Sequence, residues 1–112
     1  MDELKNQLTV LNYVVDESYR QQGVLVITEF GVYAGRHKGK VIDVGLACPD
    51  FPFSAPAGIH VRPLLVATGP NNVNNSPLGA EWQYWSRRLA DWGSDRTARH
   101  IISYINKVLL NG

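Results

Sequence analysis

Few side chains in this sequence are equipped for covalent chemistry. Cys48 is the only thiol, which leaves no internal disulfide and no cysteine-based zinc cluster open to the chain. It ends the run VIDVGLAC, in which Ile42, Val44, Leu46 and Cys48 fall on one face of an alternating strand. That face is a core face. A thiol there, with no base beside it in sequence, is buried and inert. His37, His60 and His100 are widely spaced and form no metal-ligand pattern such as HxxxH, so neither a metal nor a cofactor is expected. His60 alternates outward with Arg62 and can face the asparagine-rich stretch 68–80. His100 shares the polar side of a helix with Arg96, Ser103 and Lys107, which predicts solvent exposure. Gly35 and Gly39 stand between strands rather than ahead of a helix, so no glycine-rich phosphate loop is present.

The densest feature is aromatic and basic. Trp82, Trp85 and Trp92 lie within eleven residues, with Arg87 and Arg88 between them and Arg96 and Arg99 just beyond. Interleaved indoles and guanidiniums can hold single-stranded nucleic acid. The chain as a whole argues against it, because eleven Lys+Arg meet ten Asp+Glu for a net charge of +1. The basic residues are therefore solvated faces or contacts for an acidic protein partner. Each indole buries about 150–250 Å² when it packs, so two of the three are expected in the core and one shared with a partner, where aromatic anchors are common.

The elements that must position these residues fit one domain, residues 1–112. Leu4, Leu8 and Leu11 follow helical spacing behind Asp2 and Glu3, a short N-terminal helix. Strands are expected over 11–19, 23–33, 41–48 and 59–67, with a polar hairpin tip at 34–40. Prolines 49, 52, 56 and 63 exclude a helix or central strand over 49–58, leaving an ordered loop pinned by Phe51 and Phe53. Residues 68–80 read as a loop, and 81–89 as a short helix or packed turn. Ala98, Ile101, Ile102, Ile105, Val108 and Leu109 make one apolar stripe of a C-terminal helix capped by Ser94 or Asp95. The fold class is α+β: a four-stranded antiparallel meander, with the C-terminal helix packed on it. No purely apolar run exceeds four residues, the length of Val24–Ile27, too short for a bilayer, and the acidic start is unlike a secretory leader. A cytoplasmic protein is expected, with no membrane partner.

Two segments, in this order, resemble the ubiquitin-conjugating enzymes. Pro49-Asp50-Phe51-Pro52-Phe53-Ser54-Ala55-Pro56 is similar to the Tyr-Pro-Phe-x-x-Pro stretch that follows the third strand of that family. Trp92 stands ahead of the last helix as the family's Trp-Ser-Pro does. More narrowly, Ser76-Pro77-Leu78-Gly79 and Trp82-Gln83-Tyr84-Trp85-Ser86-Arg87 resemble a bacterial branch encoded beside ubiquitin-like proteins, a ThiF-type activating enzyme and a deconjugating peptidase. The resemblance implies a ubiquitin-like protein and the activating enzyme as partners.

The chain departs from the family at its reactive centre. Gly69-Pro70-Asn71 keeps Pro and Asn of the family's His-Pro-Asn, and no cysteine follows it. Counting back from Trp92 by the family's spacing reaches Tyr84 to Ser86, where Ser86 is the only nucleophile. The resemblance thus implies Ser86 as acceptor of an activated C-terminus, as an oxyester, with Asn71 (or Asn72) stabilising the oxyanion. A serine needs a base or a preorganised oxyanion site; Asp91 and His60 are candidate bases, and Ser76 is a second hydroxyl. Against this stands Ser86 as a brace of the tryptophan-rich turn. The alternative of a different class is a non-catalytic variant that only binds the ubiquitin-like protein or activating enzyme, through Trp82, Trp85, Trp92, Arg87 and Arg88. A third reading is a sheet-plus-helix adaptor unconnected with conjugation.

Overall fold

The computed structural model describes all residues, 1–112. Helix α1 (Asp2–Val10) leads into strand β1 (Val14–Asp16), and β2 (Leu25–Gly31), β3 (Val41–Leu46) and β4 (Gly58–Arg62) follow as an antiparallel meander. Two further strands, β5 (Val73–Asn75) and β6 (Gln83–Ser86), precede the closing helix α2 (Ala98–Asn111). The sheet has six strands in the order β1-β2-β3-β4-β6-β5, all antiparallel. The class is α+β as the sequence predicts; the sheet is wider than the expected four strands.

The extra width has a local cause. Pro63 cannot donate to a ladder, so β4 ends at Arg62 and would otherwise expose an unpaired edge. Gln83-Tyr84-Trp85-Ser86 alternates with period 2 and pairs with that edge, Ile59 opposite Trp85 and His60 opposite Tyr84. Residues 81–89 are therefore strand at their centre, not helix or packed turn. The 68–80 segment is also more ordered than a loop, with a 3₁₀ turn at Pro70–Asn72 running into β5. At the other end, the 11–19 strand shrinks to Val14–Asp16, because residues 17–22 turn and coil into a 3₁₀ turn before Gly23, whose φ of 78° suits glycine.

Residues opposite one another across the ladders define two faces. Leu25, Leu46, Ile27, Val44, Val61, Ile59, Trp85 and Gln83 share one, and both helices cover it. From α1 come Leu4 and Leu8; from α2 come Ala98, Ile101, Ile105 and Leu109, all fully buried. Ile42, Val44, Leu46 and Cys48 lie in this core as their alternation requires. The second face is covered by loop. Val24, Val26, Leu78 and Trp82 form a small cluster there, with Tyr19 against it. Val24-Leu25-Val26-Ile27 is a continuous apolar run because both sides of β2 are buried.

Caps and pins differ in detail from expectation. Thr97, not Ser94 or Asp95, caps α2: its hydroxyl oxygen accepts from His100 N–H at 3.3 Å. The Thr97 hydroxyl donates to Asp95 Oδ1 at 2.7 Å, and Gln7 Oε1 of α1 accepts from Ala98 N–H at 2.7 Å. In the proline-rich loop, Phe51 is buried against Trp92, whereas Phe53 is 76% exposed and does not pin the loop. Trp92 Nε1–H does that work by donating to Pro52 carbonyl at 2.9 Å.

Candidate functional site

The exit of β6 gathers most of the residues singled out by the sequence. Trp85 is completely buried on the helix face, and its Nε1–H donates to Gln83 Oε1 at 3.0 Å. Gln83 is equally buried and uses both ends of its amide. Its Oε1 also accepts from Leu65 and Val66 N–H at 3.0 and 3.3 Å, and its Nε2 donates to Val66 carbonyl and Thr68 Oγ1 at 3.0 and 3.1 Å. One polar side chain thereby ties the irregular 65–68 segment to the sheet. Sequence reasoning missed Gln83, because an inward glutamine breaks the apolar alternation that marks a strand.

Beyond Trp85 the chain turns outward through Ser86, Arg87 and Arg88. The Arg87 carbonyl is anchored by the hydroxyl of Tyr104 on α2, and burial raises the Tyr104 phenol above its ordinary range. Two hollows flank this exit. One, of about 530 Å³, is bounded by Arg36, Asn71, Arg87 and Asn111, with Val66, Val73 and Trp85 in its wall. The other, of about 410 Å³, lies between residues 87–91 and α2, with Arg88, Asp91, His100, Tyr104 and Lys107 around it. Arg87 and Asn111 border both, so the hollows form one trough with a saddle. Arg36, Arg87, Arg88 and Lys107 border the two hollows, and Asp91 is the single acidic side chain among the residues that line them. None of these four cations is in an ion pair: the paired ones are Lys5, Arg20 and Arg62. The trough thus carries four cations outside any ion pair, against Asp91 in the second hollow and Gly112 at the border of the first.

Ser86 and Asn71 are not brought together. The Ser86 side chain leaves β6 on the face opposite that of Trp85, opposite Gly58, while Asn71 borders the hollow that Trp85 walls. Ser86 is exposed, and its hydroxyl makes no hydrogen bond; Arg87 Nη1 donates to its carbonyl at 3.0 Å. Neither candidate base reaches it. Asp91 borders the second hollow, and His60 is engaged elsewhere. Asn71 and Asn72 are both exposed at left-handed φ of 56° and 59°, where asparagine is among the better tolerated residues.

His60 faces the asparagine-rich stretch, as its alternation allows, and is buried there against the second hydroxyl: Nδ1 lies 2.8 Å from Ser76 Oγ. Leu78 N–H donates to the same oxygen at 3.1 Å. Burial drives the His60 pKa down to about 4. The His60 ring lies 4.7 Å from that of Tyr84, and its bond to Ser76 ties the 76–82 loop to the sheet.

All three indoles are buried, where one was expected to be shared with a partner. Trp82 packs edge-on to Tyr19 at 5.6 Å and lies under the Arg62 guanidinium at 4.5 Å, itself paired with Asp43 at 2.9 Å. Trp92 stacks on His100 at 5.7 Å, which leaves that histidine half-buried. Of the expected partner-binding residues, Arg87 and Arg88 are the ones not buried. Cys48 is sealed, its thiol pushed up to about 12 by burial. His37, at the hairpin tip, is also buried, its ring 6.1 Å from that of Trp85 and its Nε2 without a partner. No group of side chains is arranged to hold a metal ion, and no helix is long and apolar enough to cross a membrane. No family model, curated protein or solved structure matches the chain.

Proposed function

We propose that this chain is a ubiquitin-conjugating-enzyme-like binding module that holds a ubiquitin-like protein on the cationic trough at the exit of β6, without forming a bond to it. The observation that carries the reading is the separation of the parts an acyl transfer needs. The Ser86 hydroxyl, the Asn71 amide and the nearest bases point to different places. A hydroxyl that stays protonated at neutral pH, without a base in reach, is a poor acceptor. Four unpaired cations around one trough are, by contrast, suited to an acidic partner surface.

The proline-rich loop behind β3 and the pinned Trp92 ahead of α2 support the family resemblance, which in turn suggests the ubiquitin-like protein and its ThiF-type activating enzyme as the molecules to try. Calorimetric titration with the ubiquitin-like protein tests the reading. Saturable binding is expected, weakened about tenfold or more by Arg88→Glu with Lys107→Glu, since reversing rim charges turns attraction into repulsion. The exposure of Ser86 keeps one rival in play, transfer through a serine oxyester. With activating enzyme, ATP and the ubiquitin-like protein, that rival predicts an adduct that resists thiol reductant, yields to mild base and is lost in Ser86→Ala.

A further inference from the structure

We propose that the hairpin tip 34–40 is a proton-operated latch on the trough, closed while His37 is neutral and released, together with Arg36, when the imidazole takes up a proton. The latch is a property of this chain alone; its effect on a bound partner rests on the binding-module reading. His37 is 2% exposed although exposed residues flank it on both sides. Its ring lies 6.1 Å from that of Trp85, and its Nε2 has no partner. Gly35 presses the tip onto the end of α2, where a Cβ would meet the Leu110 carbonyl at 2.9 Å. No backbone hydrogen bond joins residues 34–38 to α2 or β6; those of the tip stay within it or run to Val32 at its base. The buried ring is therefore the main grip. Gly35 and Gly39, at φ of 88° and 90°, bracket it as pivots.

The surroundings decide which form of the ring fits. Lys40 Nζ stands 3.5 Å from Nδ1, and an ammonium can only donate. A proton on Nδ1 sets two donors and two positive charges face to face. Arg36 and Lys38 flank the ring along the hairpin, and from β6 the Arg87 guanidinium lies 6.0 Å from the Trp85 ring. From α2 come the last carbonyls and the Gly112 backbone, which favour a charged ring, with no basic residue in that turn. Burial, then Lys40 and Arg36, outweigh Gly112 and hold the imidazole below its ordinary 6.5. The stability this ring gives the docked tip is thus fully present above pH 6.5 and is lost as pH falls through the lowered value. On release the charged ring enters water, and Arg36 leaves the hollow that it borders with Arg87.

The test follows the full chain by NMR from pH 7.5 to 5. The His37 ring signals, assigned by their loss in His37→Phe, are expected to titrate below 6.5 in step with the Trp85 indole N–H and the amides of 34–40. Protection of those amides from exchange, corrected for the intrinsic effect of pH, should fall about tenfold or more as the ring becomes charged. The 76–82 loop, held by a histidine that titrates at about 4, should keep its protection over the same range. His37→Phe should leave the tip protected down to pH 5, and Lys40→Met should raise the midpoint by about half a pH unit or more. A His37 titration at or above 6.5, protection of 34–40 that stays flat with pH, or an equal loss in His37→Phe overturns the inference. If His37→Phe does not fold, a midpoint unmoved in Lys40→Met overturns it instead. A ubiquitin-like protein that binds at neither pH contradicts the binding-module reading and leaves the latch standing.

Discussion

Gln83 carries more structure than any residue marked as reactive. A buried amide with every donor and acceptor used is stabilising, whereas orphaned partners each cost about 1–3 kcal/mol. Gln83→Leu keeps the volume and leaves Leu65 N–H, Val66 N–H, Val66 carbonyl and Trp85 Nε1–H unpaired. Chemical denaturation is expected to show a loss of at least about 3 kcal/mol. His60 makes a second residue-level prediction. Its folded pKa of about 4 lies below the ordinary 6.5, so the unfolded chain binds more protons between those values. The stability this group contributes is fully present above pH 6.5 and is lost as pH falls toward about 4, by up to about 3 kcal/mol. Melting curves across that window should show the decline, and His60→Gln should flatten it.

At the scale of elements, the junction of β4 and β6 is tight. Gly58 sits opposite Ser86, and a Cβ there would meet the Trp85 carbonyl at 2.3 Å and the Tyr84 hydroxyl at 2.6 Å. The carbonyl is backbone and cannot swing aside, so Gly58→Ala should lower stability by about 1–3 kcal/mol and weaken partner binding through a displaced β6 exit. Tyr104→Phe tests the other side of that exit. It removes the anchor of the Arg87 carbonyl and should cost about 1 kcal/mol, with faster amide exchange over 87–91. These contacts also explain what the sequence could disclose. The α2 stripe and the 41–48 alternation were legible because every inward residue is apolar. Strand β6 was not, since Gln83 faces inward as Trp85 does, and four residues are too few to show a period once one is polar. Strand β5 hides for a related reason: only Val73 of its three residues is buried. The buried His60–Ser76 pair was half legible, as an outward histidine near an asparagine-rich stretch; its burial depends on a loop whose path no local pattern encodes.

Over the whole molecule, a net charge of +1 conceals an uneven distribution. Acids at the α1 end are consumed in ion pairs with Lys5 and Arg20, and Asp43 is consumed by Arg62. The trough, bordered by Arg36 of the β2–β3 hairpin and by Arg87, Arg88 and Lys107, keeps its four cations outside any ion pair. Composition alone could not show this, because pairing is a property of the fold. An interface built on such charges is screened by salt, so affinity for an acidic partner should fall steeply as ionic strength rises, which titration at several salt concentrations would read. The most direct test is native mass spectrometry of the chain mixed with the ubiquitin-like protein, activating enzyme and ATP. A complex of the chain with the ubiquitin-like protein that separates on denaturation into unmodified chain is the predicted result. An adduct that survives denaturation, or no complex at all, would contradict it.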